Sequence, residues 1–149
     1  ELQSVISSIE LDCFSFAVVR NPWDRVVSMY YFSIKKGLAN LFGIDNELSF
    51  EGFCEVLKSR EGDRSFIPIF KQTEWTHGSI EVDEILKFEN LSEDFSSMVK
   101  NHGIKDMPPH LPHHNSTIHK PYRDCFNSNT QKIIKKVFEE DCDRLKYVF

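Results

Sequence analysis

From Cys13 to Val19 the sequence CFSFAVV is a short, nearly continuous run of apolar side chains, and Arg20-Asn21-Pro22 stops it. An apolar run of this length without alternation predicts a strand buried on both faces of a parallel sheet. Proline suits a first helical position, because the N–H it lacks has no partner there, and Asp24 complements the positive end of a helix dipole. A helix is therefore predicted from Pro22 to Lys36. Along it Trp23, Val27, Tyr30 and Ile34 recur at helical spacing and line one face for packing against the sheet. Lys35, Lys36 and Gly37 supply a cationic last turn and a stop.

Leu38 to Leu48 reads as irregular. Ser49 then opens a second helix, whose apolar positions Phe50, Phe53, Val56 and Leu57 fit a 3.6-residue period. A long connection, Gly62 to Gly78, separates it from a second strand, Val82 to Phe88. Asn90-Leu91-Ser92-Glu93-Asp94 leads into a helix carrying Phe95, Met98 and Val99, so the second unit repeats the strand-then-helix order of the first. A polar loop rich in proline and histidine covers Lys105 to Asp124, and a last helix is predicted from Ser128 to Leu145. Strands alternating with helices predict an α/β architecture with a short parallel sheet flanked by helices.

The 149 residues, 40% of them hydrophobic, are enough for one core, so residues 1–149 are read as a single domain. Eighteen basic and 23 acidic side chains leave a formal charge of −5, which provides no general field for nucleic acid. Any anion site is therefore local. Cys13, Cys54, Cys125 and Cys142 are widely spaced, form no Cys-x-x-Cys pair, and read as free thiols. No run of about 18 apolar residues is present to span a bilayer. Because Glu1-Leu2-Gln3 runs within a dozen residues into a core strand, an upstream part is expected to be missing.

Open parallel sheets bind ligands at the carboxyl ends of their strands, which is where Arg20 falls. A guanidinium there can grip phosphate oxygens with two parallel hydrogen bonds, and Ser28 on the following helix can add a hydroxyl donor. Spacing alone favours a strand-end ion pair for Arg20 over a phosphate contact. The whole string Phe16-Ala17-Val18-Val19-Arg20-Asn21-Pro22-Trp23-Asp24-Arg25-Val26-Val27-Ser28-Met29-Tyr30, however, resembles the 3'-phosphate signature of carbohydrate-type (family 2) sulfotransferases. In that signature an apolar strand precedes Arg-Asn-Pro, an aromatic, an acid and Arg, followed by aliphatics, Ser and an aromatic. The resemblance implies that Arg20 and Ser28 bind the 3'-phosphate of 3'-phosphoadenosine 5'-phosphosulfate, the co-substrate, while Trp23, Val26 and Val27 pack. It favours a structural ion pair for Arg25.

Ile85 to Phe95 resembles the family's later core strand and helix, with Glu89 read as a strand-end carboxylate that organises neighbouring loops. Leu111 to Arg123 resembles the loop that closes over the nucleotide, which implies further phosphate contacts from Ser116, Lys120 and Arg123. His110, His113, His114 and His119 lack the accompanying cysteine or glutamate arrangement of a closed zinc site, and no metal is expected. The implied fold is a P-loop-like three-layer sulfotransferase fold, truncated at its N-terminus. Family members place a phosphate-cradling lysine loop and the acceptor's general base upstream of the arginine strand, and Glu1 to Asp12 contains no such cradle. Glu74 and His77, in the long connection, are the candidate bases.

The implied activity is transfer of a sulfuryl group to a hydroxyl acceptor, expected to be a carbohydrate. Two alternatives stand beside it. One is an inert partial domain that binds nucleotide weakly or not at all. The other is an interaction module that self-associates or docks a partner through exposed aromatics such as Trp75 and Phe126, since loss of a core strand exposes a sheet edge. By the resemblance, animal members work in the Golgi lumen and bacterial ones can be cytoplasmic.

Overall fold

The computed structural model describes residues 14–37, 47–63, 65–66, 70–78, 81–105, 111 and 119–149. Strands β1 (Phe16–Val19) and β2 (Glu84–Lys87) pair in parallel, with Phe16 opposite Glu84 and Val19 opposite Lys87. Ser15 sets this register. Its backbone N–H and its hydroxyl both donate to Asp83 Oδ2 (2.8 and 2.7 Å), and its carbonyl accepts the N–H groups of Asp83 and Glu84. These bonds to Ser15 hold the Asp83 carboxyl below its ordinary pKa.

The two faces of the sheet are covered unequally. Val19 is fully buried with Leu145, Tyr147 and Ile85, whereas Phe16 and Val18 remain 41% and 40% exposed. The expectation of a β1 buried on both faces is therefore corrected. Alternation puts Phe16 and Val18 on the Leu86 face, and the helix that covers that face packs its Phe95 and Met98 onto Leu86 of β2. That helix is centred on β2, so β1 is only half covered.

Helix α1 (Pro22–Lys35) begins as the sequence predicts, with Pro22 at its first turn and Asn21 as cap, whose Oδ1 accepts the Trp23 N–H at 3.0 Å. Gly37, with φ of +62°, ends it in a conformation that side chains bearing a Cβ rarely adopt. Its buried stripe is Trp23, Val26, Val27 and Ser33. Ile34, predicted to continue the packed face, is 39% exposed because the buried line runs instead through Tyr30 to Ser33, whose hydroxyl donates to the Tyr30 carbonyl at 2.7 Å. Helix α2 (Phe50–Ser59) starts at the predicted Ser49, whose Oγ accepts the Gly52 N–H, and it buries Phe53, Cys54 and Leu57.

The connection that follows contains a short helix, α3 (Thr73–Thr76), that periodicity did not reveal. After β2, a 3₁₀ turn at Phe88–Asn90 leads directly into α4 (Leu91–Asn101), which buries Phe95 and Met98 as expected. A second 3₁₀ turn at Tyr122–Cys125 precedes the C-terminal helices. The single helix predicted over Ser128 to Leu145 is two, α5 (Ser128–Val137) and α6 (Glu139–Arg144), which meet at the fully buried Phe138. Phe138 leaves helical angles (φ −111°, ψ 32°), yet its N–H still reaches the Ile134 carbonyl and its carbonyl accepts from Cys142.

The principal core joins Trp23 and Val26 of α1, Phe53 and Leu57 of α2, and Ile133, Ile134 and Val137 of α5. The sheet lies between the Leu145 and Tyr147 side and α4, as in the expected α/β layering. Cys54, Cys125 and Cys142 are free thiols, and Cys13 lies outside the described residues. Phe126 was expected to be exposed, but it packs edge-on against Phe50 (4.9 Å) and Phe149 (5.6 Å). Trp75 is 45% exposed. No described helix is long and apolar enough to cross a membrane.

Candidate functional site

Arg20 follows the last residue of β1 and precedes the cap of α1, so its position is set by a strand end and a helix start at once. Its Nε donates to Asp24 Oδ2 at 2.6 Å, one helical turn on, and its guanidinium carbon lies 4.3 Å from the centre of the Phe88 ring. The ion pair fixes the edge of the guanidinium and the ring fixes its plane. No acceptor among the described residues is bonded to its two Nη nitrogens, and its side chain is 22% exposed. Ser28 comes one turn after Asp24, the ion-pair partner of Arg20, on the same side of α1. Two parallel N–H donors with a hydroxyl nearby suit a tetrahedral oxyanion.

The next residue is held as firmly. The Asn21 N–H donates to Glu89 Oε1 at 2.6 Å, and its Nδ2 donates to the Val148 carbonyl at 3.1 Å. The other oxygen of Glu89 accepts the Tyr147 hydroxyl at 3.1 Å. Burial, with the Glu89 carboxylate beside it, raises the Tyr147 pKa, so the phenol keeps the proton it donates. Glu89 thus ties the end of β2 to the start of α1 and to the C-terminal segment, the organising role expected of it.

A second clamp lies on the opposite side of the chain. The Gln72 side chain accepts the Arg20 N–H at Oε1 and donates from Nε2 to the Arg20 carbonyl, both at 2.8 Å. Asp141, fully buried on α6, accepts the N–H groups of Gln72 (2.9 Å) and Thr73 (3.0 Å) and the Thr73 hydroxyl (3.1 Å). Arg25 completes this layer. Its Nη1 donates to the Phe70 carbonyl at 2.8 Å and stands 4.0 Å from Asp141, with its guanidinium over the rings of Trp75 and Phe138. Burial lowers the Arg25 pKa and Asp141 opposes that shift. Arg25 therefore serves the scaffold, as its place in the motif indicated.

The sequence model of the Sulfotransferase family matches residues 2–148, which takes in both strand-and-helix units and the C-terminal helices. The chain belongs to the sulfotransferase family. Neither a curated protein nor a solved structure matches it. Membership implies sulfuryl transfer, and with it a sulfuryl donor and an acceptor substrate.

Within this sulfotransferase the remaining candidates fall in three places. His119 stacks on Tyr31 of α1 (5.3 Å between ring centres, 15° between planes) and its Nδ1 bonds the Lys120 carbonyl. Tyr31 is three residues beyond Ser28, so this stack brings the His119-Lys120 segment beside the Ser28 face. The exposed Arg123 lies over the rings of Tyr122 and Phe149, 5.2 Å from each. Ser116, His110, His113 and His114 lie outside the described residues.

Glu74 borders a cavity of about 330 Å³ shared with Glu61, Asp63, Phe70 and Lys71, and neither Arg20 nor Ser28 lines it. His77 follows α3, with Nδ1 2.8 Å from the Thr76 hydroxyl. That hydroxyl donates its proton to the Gln72 carbonyl at 3.0 Å, so it can only accept from His77. The proton of a neutral His77 is thereby assigned to Nδ1, and Nε2 keeps its lone pair.

Sequence reasoning missed Gln72 and Asp141. Asp141 had a signal: Ile134, Val137, Phe138, Cys142 and Leu145 form an apolar helical stripe, and Asp141 sits inside it. A carboxylate on a buried stripe implies partners that satisfy it. Gln72 carries no local pattern at all.

Proposed function

We propose that this sulfotransferase takes its sulfuryl group from 3'-phosphoadenosine 5'-phosphosulfate, held at the 3'-phosphate by Arg20 and Ser28, and passes it to a carbohydrate hydroxyl. The observation that supports the reading is the Arg20 guanidinium, paired through Nε with Asp24 and set over the Phe88 ring, with no acceptor among the described residues on its Nη groups and with Ser28 one helical turn beyond Asp24. Such a group is pre-oriented for bidentate phosphate binding, so little side-chain entropy remains to be lost on binding.

When bound, the donor supplies the sulfuryl group, which passes to the acceptor oxygen as the bond from sulfur to the 5'-phosphate oxygen breaks. Arg20 and Ser28 anchor the far end of the nucleotide, and Lys120, on the segment stacked against Tyr31, adds positive charge beside them. Arg123 and Ser116 are proposed as further contacts on the resemblance alone. His77 is the better of the two candidate bases, since its Nε2 lone pair can take the acceptor's proton, whereas Glu74 opens on another cavity.

The test is calorimetric titration of 3'-phosphoadenosine 5'-phosphate, with adenosine 5'-phosphate as control, into wild type and Arg20→Ala. Binding that requires both the 3'-phosphate and Arg20 supports the site. A folded wild type that binds neither nucleotide sinks it.

The exposed Phe16 and Val18 on the half-covered face of β1 favour one second reading, a self-associating module. Size-exclusion elution that stays monomeric across a wide concentration range would count against it.

A further inference from the structure

We infer that Gln72 is the positioning residue of the anion site, setting the backbone of Arg20 so that its guanidinium meets the 3'-phosphate. This rests on the donor-binding reading of Arg20 and goes beyond it by assigning what holds the arginine in place.

Arg20 lies at the end of a two-stranded sheet and bears the residue on which phosphate recognition depends. At that point the strand pairing stops, since the register between β1 and β2 ends at Val19 and Lys87. A backbone N–H and C=O left there without partners would let the peptide rotate and swing the guanidinium. The Gln72 side chain bonds both, at 2.8 Å each, and so replaces with one amide the two bonds that a further strand residue would supply. Glutamine suits this because its carboxamide carries an acceptor and a donor side by side, as a peptide does.

The clamp is itself locked. Gln72 is 3% exposed, its N–H donates to Asp141 Oδ2, and its Nε2 lies 3.4 Å from the same oxygen, which orients the amide with nitrogen toward the Arg20 carbonyl. Its carbonyl accepts the Thr76 hydroxyl that fixes the His77 tautomer. One residue therefore touches the donor-side arginine through its side chain and, through its backbone, the Thr76 hydroxyl that meets the candidate base.

Two variants test this. Gln72→Met keeps the length of the side chain and removes both bonds. Gln72→Glu keeps the size and the acceptor for the Arg20 N–H, but offers no donor to the Arg20 carbonyl when ionised. Hydrogen exchange of individual amides by NMR reads the clamp without any ligand. Arg20 is expected to lose protection in Gln72→Met, while Val19, whose N–H faces β2, keeps its own. Titration of 3'-phosphoadenosine 5'-phosphate reads the consequence, with its affinity falling about tenfold in each variant.

An Arg20 amide as protected as in wild type, or an unchanged affinity in a folded variant, overturns the inference. Should wild type not bind the nucleotide, the donor assignment alone fails, and the exchange measurement still decides whether Gln72 holds Arg20.

Discussion

The Arg20 side chain makes one ion pair, through Nε, and one ring contact, and its Nη groups have no acceptor among the described residues. On the proposed donor site, replacing it with alanine would remove a charge-assisted bidentate contact of about 1.5–3 kcal/mol, so affinity for 3'-phosphoadenosine 5'-phosphate is expected to fall about tenfold to a hundredfold in calorimetry. Asp141→Ala acts on stability instead. It strands two backbone N–H groups and the Thr73 hydroxyl in a buried site and is expected to cost about 3 kcal/mol or more in urea denaturation. Arg20 and Ser28 could be proposed from the sequence because their motif is local: strand end, cap, helix and hydroxyl follow within nine residues. Gln72 and Asp141 were not, because each acts across the chain, on residues 52 and 69 positions away, and no spacing rule reports such pairs. The buried thiols respond to pH. Burial pushes Cys54 up from 9.0 to about 12 and Cys142 to about 11. The unfolded chain therefore releases these protons first, so the stability they contribute is fully present below pH 9 and is lost as pH rises toward 11–12. Urea midpoints should fall between pH 8.5 and 10.5, by up to about 1.4 kcal/mol per pH unit for each thiol, and Cys54→Ala should flatten that slope.

Among the elements, those whose ends carry caps matched the sequence best. Proline with asparagine opens α1, Ser49 opens α2, and Asn127 opens α5 with a reciprocal pair in which Asn127 Oδ1 accepts the Thr130 N–H (2.9 Å) and Thr130 Oγ1 accepts the Asn127 N–H (3.0 Å). Asn127 Nδ2 also donates to Glu51 Oε1 on α2 at 3.0 Å, so Asn127→Ala should lower the unfolding free energy by about 1–2 kcal/mol, read from the urea midpoint. The short α3 escaped notice because four residues cannot show a period, and the break between α5 and α6 because Phe138 satisfies the apolar pattern on either side of it. The exposure of Phe16 and Val18 is likewise a property of the neighbouring helix and is invisible in β1 itself.

For the molecule as a whole, the C-terminal residues act as a tie. The Tyr147 hydroxyl reaches Glu89, the Val148 carbonyl receives Asn21, and the Phe149 ring meets those of Trp23 (5.5 Å), Tyr122 (5.7 Å) and Phe126 (5.6 Å). Deleting residues 147–149 is expected to lower stability by about 3 kcal/mol or more, and to weaken binding of the bisphosphate nucleotide even where the shortened chain is folded. Denaturation and titration of that deletion variant measure the two effects separately.

The bond from Asn21 to Val148 spans 127 residues of sequence. A ribosome making this protein finishes the arginine motif well before the segment that tethers it. Until Tyr147 and Val148 emerge, the corner that follows β1 has lost two of its anchors, and a nascent chain stalled before them would carry the whole motif without the geometry that gives it meaning. Competence at this site is therefore gained only after Tyr147 and Val148 have been made, long after the motif they anchor.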